Sequence, residues 1–188
     1  MPKTNYAKYM IMGLLSVSPM TGYDIKKWAD ECLKYLVMDM SYGQIYPTLN
    51  RLEKDGLATV IVGPAGKRPE SKTYQLTEKG LATVTEWIRS PDTGEYDVLL
   101  KMCFGSLIST DEMIRKLDAY QKKREGELAL MGQYLAEAGD EAVYGPNALY
   151  LSMITKLGLS YFKEEVAWCK DVVSVLEALK REESDGAR

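Results

Sequence analysis

The sequence predicts a mainly α chain with one small two-stranded β element and, toward its end, long antiparallel helices. Three observations carry that prediction: a short capped helix over 41–57 whose two sides differ, two short strand-like stretches directly after it, and helical spacing of the apolar residues from Tyr96 onward. In the 41–57 stretch, Ser41 can accept the backbone N–H of Gln44 while the Gln44 side chain reaches back, a capping box, and Gly56 can supply the left-handed residue that stops the helix. At about 100° per residue, Ile45, Leu49 and Leu52 share one narrow side, and Gly43, Gln44, Pro47, Asn50, Arg51 and Lys54 share the other. The first suits a core and the second a polar surface.

Pro47 removes a bond to the Gly43 carbonyl, which predicts a kink or loosened first turns, tolerated best where a helix end projects from its domain. A projecting end with Gln, Tyr, Asn and Arg suits a recognition helix, whose first residues reach base edges in a major groove. An ordinary surface helix fits these seventeen residues equally well. The neighbours break the tie. Residues 57–62 (Leu-Ala-Thr-Val-Ile-Val) are β-branched, 72–76 (Lys-Thr-Tyr-Gln-Leu) alternate, and Gly-Pro-Ala-Gly-Lys-Arg-Pro-Glu-Ser lies between them. Helix, strand, basic loop, strand describes a winged helix-turn-helix, with Lys67, Arg68 and Lys72 able to lie along phosphates.

Gly43-Gln44-Ile45-Tyr46-Pro47-Thr48-Leu49, Arg51-Leu52-Glu53, Gly56-Leu57, Tyr74-Gln75-Leu76-Thr77 and Gly80 resemble the PadR-like family of bacterial transcriptional regulators. The resemblance covers roughly residues 5 to 90 and is weaker beyond. It implies a DNA-binding dimer whose C-terminal helices hold the two-fold and respond to small molecules. The wing departs from the family pattern through Pro64, Pro69 and Lys72-Thr73-Tyr74.

Along the chain, Tyr6, Tyr9, Met10, Gly13, Leu14 and Val17 recur at helical spacing until Ser18-Pro19. Thr21 and Asp24 form a second capping box, opening a helix with Ile25, Trp28, Ala29, Cys32 and Leu36 inward and Lys26 and Lys27 outside. The apolar connection 37–40 is expected to be partly buried, with Asp39 pointing aside from any phosphate. Thr77 caps a helix with Leu81, Val84 and Trp87 inward. Ser90-Pro91-Asp92-Thr93-Gly94 is the clearest break, placing a winged-helix DNA-binding domain at 1–90 and a helical dimerisation and effector-response domain at 91–188.

In the second domain, Val98, Leu99, Met102, Cys103 and Leu107 predict one helix. Ile114, Leu117, Leu128, Met131, Leu135 and Ala138 form a seam interrupted by Gln121 and Arg124. After the break at 139–146, a last long helix carries Tyr150, Ile154, Leu157, Tyr161, Trp168, Val172, Val175 and Leu179, with Glu165 the one acid in the stripe. Two such helices cannot cover their apolar sides on so small a head, so a second copy is the expected partner. Tyr150, Tyr161 and Trp168 either line a cleft for a small apolar or aromatic effector, with Glu165 selecting a cation, or pack helices together.

Composition bounds the function. Residues 1–90 hold 12 Lys+Arg against 9 Asp+Glu, and residues 91–188 hold 12 against 18, so a net charge of −3 splits into +3 and −6. A basic head and acidic remainder fit a DNA binder whose tail stays off the phosphates. The chain has no histidine, which removes the usual general base and zinc ligand, and it has no phosphate loop. A binder is expected, with no cofactor and no metal. Three cysteines far apart suggest reduced, mostly buried thiols, and no apolar run reaches the roughly 20 residues of a membrane span. A cytoplasmic location is expected, without a membrane partner.

The reading is a homodimeric regulator, a repressor, on palindromic double-stranded operator DNA. Gln44, Asn50 and Arg51 are the candidate base readers, with phosphate contact the alternative for Arg51, and Ser41, Tyr42, Tyr46, Pro47, Thr48, Lys67, Arg68 and Lys72 complete the interface. The rival is a winged-helix adaptor that binds proteins and no DNA, which the small basic excess favours.

Overall fold

A capped, one-sided helix needs an apolar floor, and here the floor is a helix buried almost all round. The computed structural model describes residues 5–33, 39–61, 72–92, 97–138 and 144–186, which fall into two compact units, Met1–Ile108 and Ser109–Arg188. The first unit contains α1 (Tyr6–Val17), β1 (Met20–Thr21), α2 (Gly22–Trp28) continued by a π-helical turn (Ala29–Leu33), α3 (Tyr42–Lys54), β2 (Ala58–Ile61), β3 (Thr73–Leu76), α4 (Glu78–Arg89) and α5 (Asp97–Met102). Asn5 caps α1, its Oδ1 accepting from the Lys8 backbone N–H at 3.2 Å. Every residue from Met10 to Leu15 is buried, so α1 forms the centre of this unit, whereas Val17 at its end is exposed.

Both predicted capping boxes are present. Thr21 Oγ1 accepts from the Asp24 N–H at 3.2 Å while Asp24 returns to the Thr21 N–H at 2.9 Å. Lys26 is partly buried rather than outside, because its ammonium pairs with Asp30 and lies 3.6 Å from Asp39, while Lys27 stays exposed. Cys32 and Leu36 lie outside the described side chains. Gly56 does end α3 in the left-handed region, with φ +68°, after which the chain turns into β2.

The sheet has three antiparallel strands in the order β1-β3-β2, one more than the two-stranded wing expected. Tyr74 of β3 faces Met20 on one side and Val60 on the other. Met20-Thr21 escaped sequence reading because two residues cannot display a period of two. Helix α4 starts at Thr77, whose Oγ1 accepts from the Gly80 N–H at 3.1 Å, and buries Gly80, Val84, Trp87 and Ile88; Leu81, expected inward, is exposed. Trp87 stacks on Tyr9 with ring centres 4.5 Å apart. The helix expected through Val98 and Leu107 ends at Met102, followed by a single 3-10 turn (Gly105–Leu107), because Phe104 turns inward against Gly13.

Residues 90–92, read as a boundary loop, are gathered onto one buried lysine. Lys101 Nζ donates to the carbonyls of Ser90 (2.9 Å) and Pro91 (3.1 Å), and bonds Asp92 Oδ1 at 2.9 Å. Its cation also lies 5.5 Å from the Trp87 ring centre. A buried ammonium is tolerable only with such a set of acceptors.

The second unit is a helix pair, α6 (Thr110–Ala138) and α7 (Ala148–Gly186), with a short 3-10 turn (Gly145–Asn147) before α7. Tyr120 meets Glu165, Asp111 meets Lys180, and Met131 lies over Gly158, so partners descend along α7 as they ascend along α6: the pair is antiparallel, as expected. The buried line of α6 is Met113, Leu117, Tyr120 and Arg124, with Val166 and Cys169 buried on α7. Of the seam predicted for α6, Leu117 is buried, while Ile114, Leu128, Met131 and Leu135 are only half-buried. Arg124 is no solvent-facing break. It pairs with Glu165 at 2.9 Å and Glu127 at 2.5 Å, with its guanidinium carbon about 5 Å from the Tyr120 and Phe162 ring centres.

Gly80 fixes how α4 meets the end of α3. A Cβ there would stand 2.0 Å from the Leu57 carbonyl oxygen, a backbone atom that also accepts the Thr77 N–H at 3.1 Å. Gly80→Ala should therefore destabilise the protein by about 3 kcal/mol, the upper part of the overpacking range, measured by urea unfolding. An unchanged unfolding midpoint would show that α4 can slide away from Leu57.

Candidate nucleic-acid interface

Helix α3 projects its polar side because its apolar side is fully used. Ile45, Leu49 and Leu52 are buried, with no more than 1% of their surface exposed. Ser41, Tyr42, Gly43, Gln44, Tyr46, Pro47, Asn50 and Arg51 are all exposed, and Thr48 is half-buried. The start of the helix is closed by Gln44, whose Oε1 accepts from the Ser41 N–H at 3.0 Å and the Ser41 hydroxyl at 3.2 Å. The Gln44 backbone N–H donates to the Ser41 carbonyl at 2.9 Å. Gln44 thus serves as cap in this structure, and its NH2 group remains as the donor end. Pro47 sits inside the helix, one turn in.

Two tyrosines flank this start. The rings of Tyr42 and Tyr46 lie 6.0 Å apart with 19° between their planes. Tyr46 rests on the first residue of α2: a Cβ on Gly22 would stand 2.6 Å from the Tyr46 ring, so glycine makes the room. Asp39, the acid nearest the helix start in sequence, lies within 3.6 Å of Lys26, which offsets its charge at a place where it would repel phosphate. At the other end, the Tyr74 hydroxyl makes a long contact of 3.5 Å to Asn50 Oδ1. Burial, then the charge of Glu53, pushes the Tyr74 hydroxyl above its ordinary pKa, so it stays protonated as a donor.

The structure puts Lys72 at 4.0 Å from Glu53, a loose, exposed pair beside the C-terminal half of α3. Lys67 and Arg68 lie outside the described residues. On the opposite flank of α3, a cleft of about 250 Å³ separates it from the start of α1 and is lined by Asn5, Lys8, Gln44, Pro47, Thr48 and Arg51 among others. Sequence reading missed Asn5 and Lys8, which stand more than thirty-five positions upstream of Gln44. Their one local signal is that Asn5 can cap α1.

In the second unit the candidate effector residues divide. Tyr150 and Tyr161 are 64% and 63% exposed, Trp168 is half-buried, and Glu165 faces α6. Tyr120 donates its hydroxyl to Glu165 Oε1 at 2.7 Å and accepts from Arg124 Nε at 3.0 Å. Burial and the bond to Glu165 push that hydroxyl up, and burial, with the nearby Glu165, pushes the Cys169 thiol up to about 11, so both are protonated near neutral pH. Among the described residues no group of His, Cys, Asp and Glu could hold a metal ion, and no helix is long and apolar enough to cross a membrane.

Residues 11–86 match the profile of the transcriptional regulator PadR-like family, and residues 96–177 match the profile described as virulence activator alpha C-term. The negative transcriptional regulator PadR of Bacillus subtilis is 29% identical over 178 residues, 90% of this chain and 97% of that protein. Its crystal structure with operator DNA shares 26% identity over 90% of this chain and 98% of the other, with a TM-score of 0.42. Its structure with p-coumaric acid shares 24% identity over 93% and 98%, with a TM-score of 0.40. A PadR-like transcription factor from Bacteroides fragilis is 32% identical over 42% of this chain and 73% of that one, with a TM-score of 0.38.

Proposed function

This chain belongs to the PadR-like family of transcriptional regulators, and from that premise we propose that it is a cytoplasmic homodimeric repressor that lays α3 in the major groove of palindromic operator DNA. The observation that carries the reading is the two-sidedness of α3: its apolar residues are spent on the core, and its donors and acceptors stand in water. In this reading Gln44 and Asn50 meet base edges, Arg51 meets either a base edge or the phosphate beside it, and Ser41, Tyr42, Tyr46, Pro47 and Thr48 shape the approach and touch sugar and phosphate. Lys67, Arg68 and Lys72 of the wing hold the backbone. Replacement of Gln44 by Ala should cost about 1–3 kcal/mol on the selected operator and little on random duplex, by fluorescence anisotropy. Equal losses on both duplexes would remove Gln44 from base reading.

Residues 1–90 serve as the DNA-binding domain, and 91–188 as the dimerisation and effector-response domain. Support for the dimer comes from α7, which buries Val166 and Cys169 toward α6 yet leaves Tyr150, Ile154, Leu157, Tyr161, Val175 and Leu179 between 47% and 67% exposed. These side chains recur at helical spacing along one stripe, an apolar surface that a second copy would cover. The double change Ile154→Glu and Leu157→Glu should convert the dimer to monomer in sedimentation velocity and abolish operator binding while α-helical content persists. A dimer that survives the change would place the two-fold elsewhere.

An effector site for a small apolar or aromatic molecule is assigned to Tyr150, Tyr161 and Trp168, with Glu165 at its edge. Since Glu165 already meets Arg124 and Tyr120, an effector contacting it has that pairing to compete with. A titration with p-coumaric acid, the molecule crystallised with the Bacillus relative, or with a lipophilic cation should quench tryptophan fluorescence saturably. Trp168→Phe should remove most of the change, and an unsaturable response to both would eliminate the site.

A further inference from the structure

We propose that the first turn of α1 is a second DNA-backbone contact, in which Lys8, with Arg51 across the cleft, seats a phosphate of the ridge beside α3. This rests on the reading that α3 lies in a major groove. At about 100° per residue, Gln44, Thr48 and Arg51 lie on one flank of α3, and Tyr42, Tyr46 and Glu53 lie on the flank roughly opposite. Glu53 lies 4.0 Å from Lys72, the residue just before β3, so this flank is the one toward Lys72. The cleft with Lys8 lies along the other one. A helix seated in a major groove has a phosphate ridge on each side; Lys72 lies on one flank, and Arg51 and Lys8 are the cations on the other.

The chemistry of the cleft fits that ridge. Two cations line it and no carboxylate does, and its volume of about 250 Å³ is open next to the exposed end of Gln44. Among the described residues Lys8 and Arg51 form no ion pair, as is also so for Lys54 and Lys79, whereas Lys26, Lys27, Lys72 and Lys101 in the same unit do. Lys8 is held in place by its own neighbour, its ammonium 5.8 Å from the Tyr9 ring centre, and Tyr9 is stacked on buried Trp87. Asn5 has its carbonyl oxygen committed to the Lys8 N–H, which leaves its NH2 as a further donor at the cleft mouth. Two cations, a neutral donor and no competing acid make an anion seat whose occupant is the phosphodiester backbone of duplex DNA.

The test compares Lys8→Gln, Lys8→Arg and, as a control on α6, Lys122→Gln, on a mixed-sequence duplex and on the selected operator across a salt series. Lys8→Gln should weaken both duplexes several-fold and flatten the slope of log K against log salt by about 0.9 per protomer, about 1.8 for the dimer. Lys8→Arg should keep the wild-type slope, and thermal unfolding of all three should match wild type. Affinity and slope for Lys8→Gln equal to those of Lys122→Gln would overturn the contact while leaving α3 as reader, because Gln44→Ala would still discriminate operator from random DNA. A wild-type protein that binds neither duplex would overturn both. If Lys8→Gln unfolds the head, loss of the slope in Lys8→Arg overturns the contact and its retention supports it.

Discussion

The commitment of Ile45, Leu49 and Leu52 to the core is the constraint on which the rest of this protein depends. Three side chains within one narrow arc fix the rotation of α3 about its axis, and a rotation of one residue would bury Gln44 or Asn50. The floor they need is α1, buried on all sides over Met10–Leu15. The ends of the helix are fixed separately, by Gln44 closing on Ser41 and by Gly56 turning the chain into β2. Because core, cap and stop agree, the polar side presents itself with no help from a ligand. That is the preorganisation a reader of base edges requires, since disorder in the free state would have to be frozen at binding.

Much of this was legible in the sequence, and the reason is physical. Capping boxes act between residues three apart, so Ser41 with Gln44 and Thr21 with Asp24 could be read locally and are present. The strand pair after α3 was legible through β-branching and the turn-rich loop. What stayed hidden depends on contacts between distant segments. The two-residue strand β1 exists only because Tyr74 offers its backbone to Met20. Leu81 has the spacing of an inward residue, yet Gly80 draws the neighbouring backbone so close to Leu57 that α4 buries Gly80 and Ile88 beside the expected Val84 and Trp87 and leaves Leu81 exposed. Lys8 carries no sequence sign of facing Arg51.

The helical unit shows the same division. The sequence offered Arg124 as an interruption of one seam and Glu165 as the lone acid of another stripe, two anomalies that are one ion pair in the structure. Tyr120 joins them through its hydroxyl, so buried Arg124 and half-buried Glu165 are each hydrogen-bonded as well as paired. A polar lock of this kind fixes the register of α6 on α7 better than interchangeable apolar contacts do. With register fixed there, the other side of α7 keeps a constant set of residues outward. Its tyrosines, leucines and isoleucine are a surface, not the failure of a core.

In the proposed complex two copies of α3 enter the same side of one duplex. Hydroxyl-radical footprinting of the protein on its selected operator should then show two protected patches related by a two-fold, with centres about one helical turn, roughly 34 Å, apart on the same side of the DNA. A single protected tract with no two-fold relation, or two patches on opposite sides of the duplex, would contradict it.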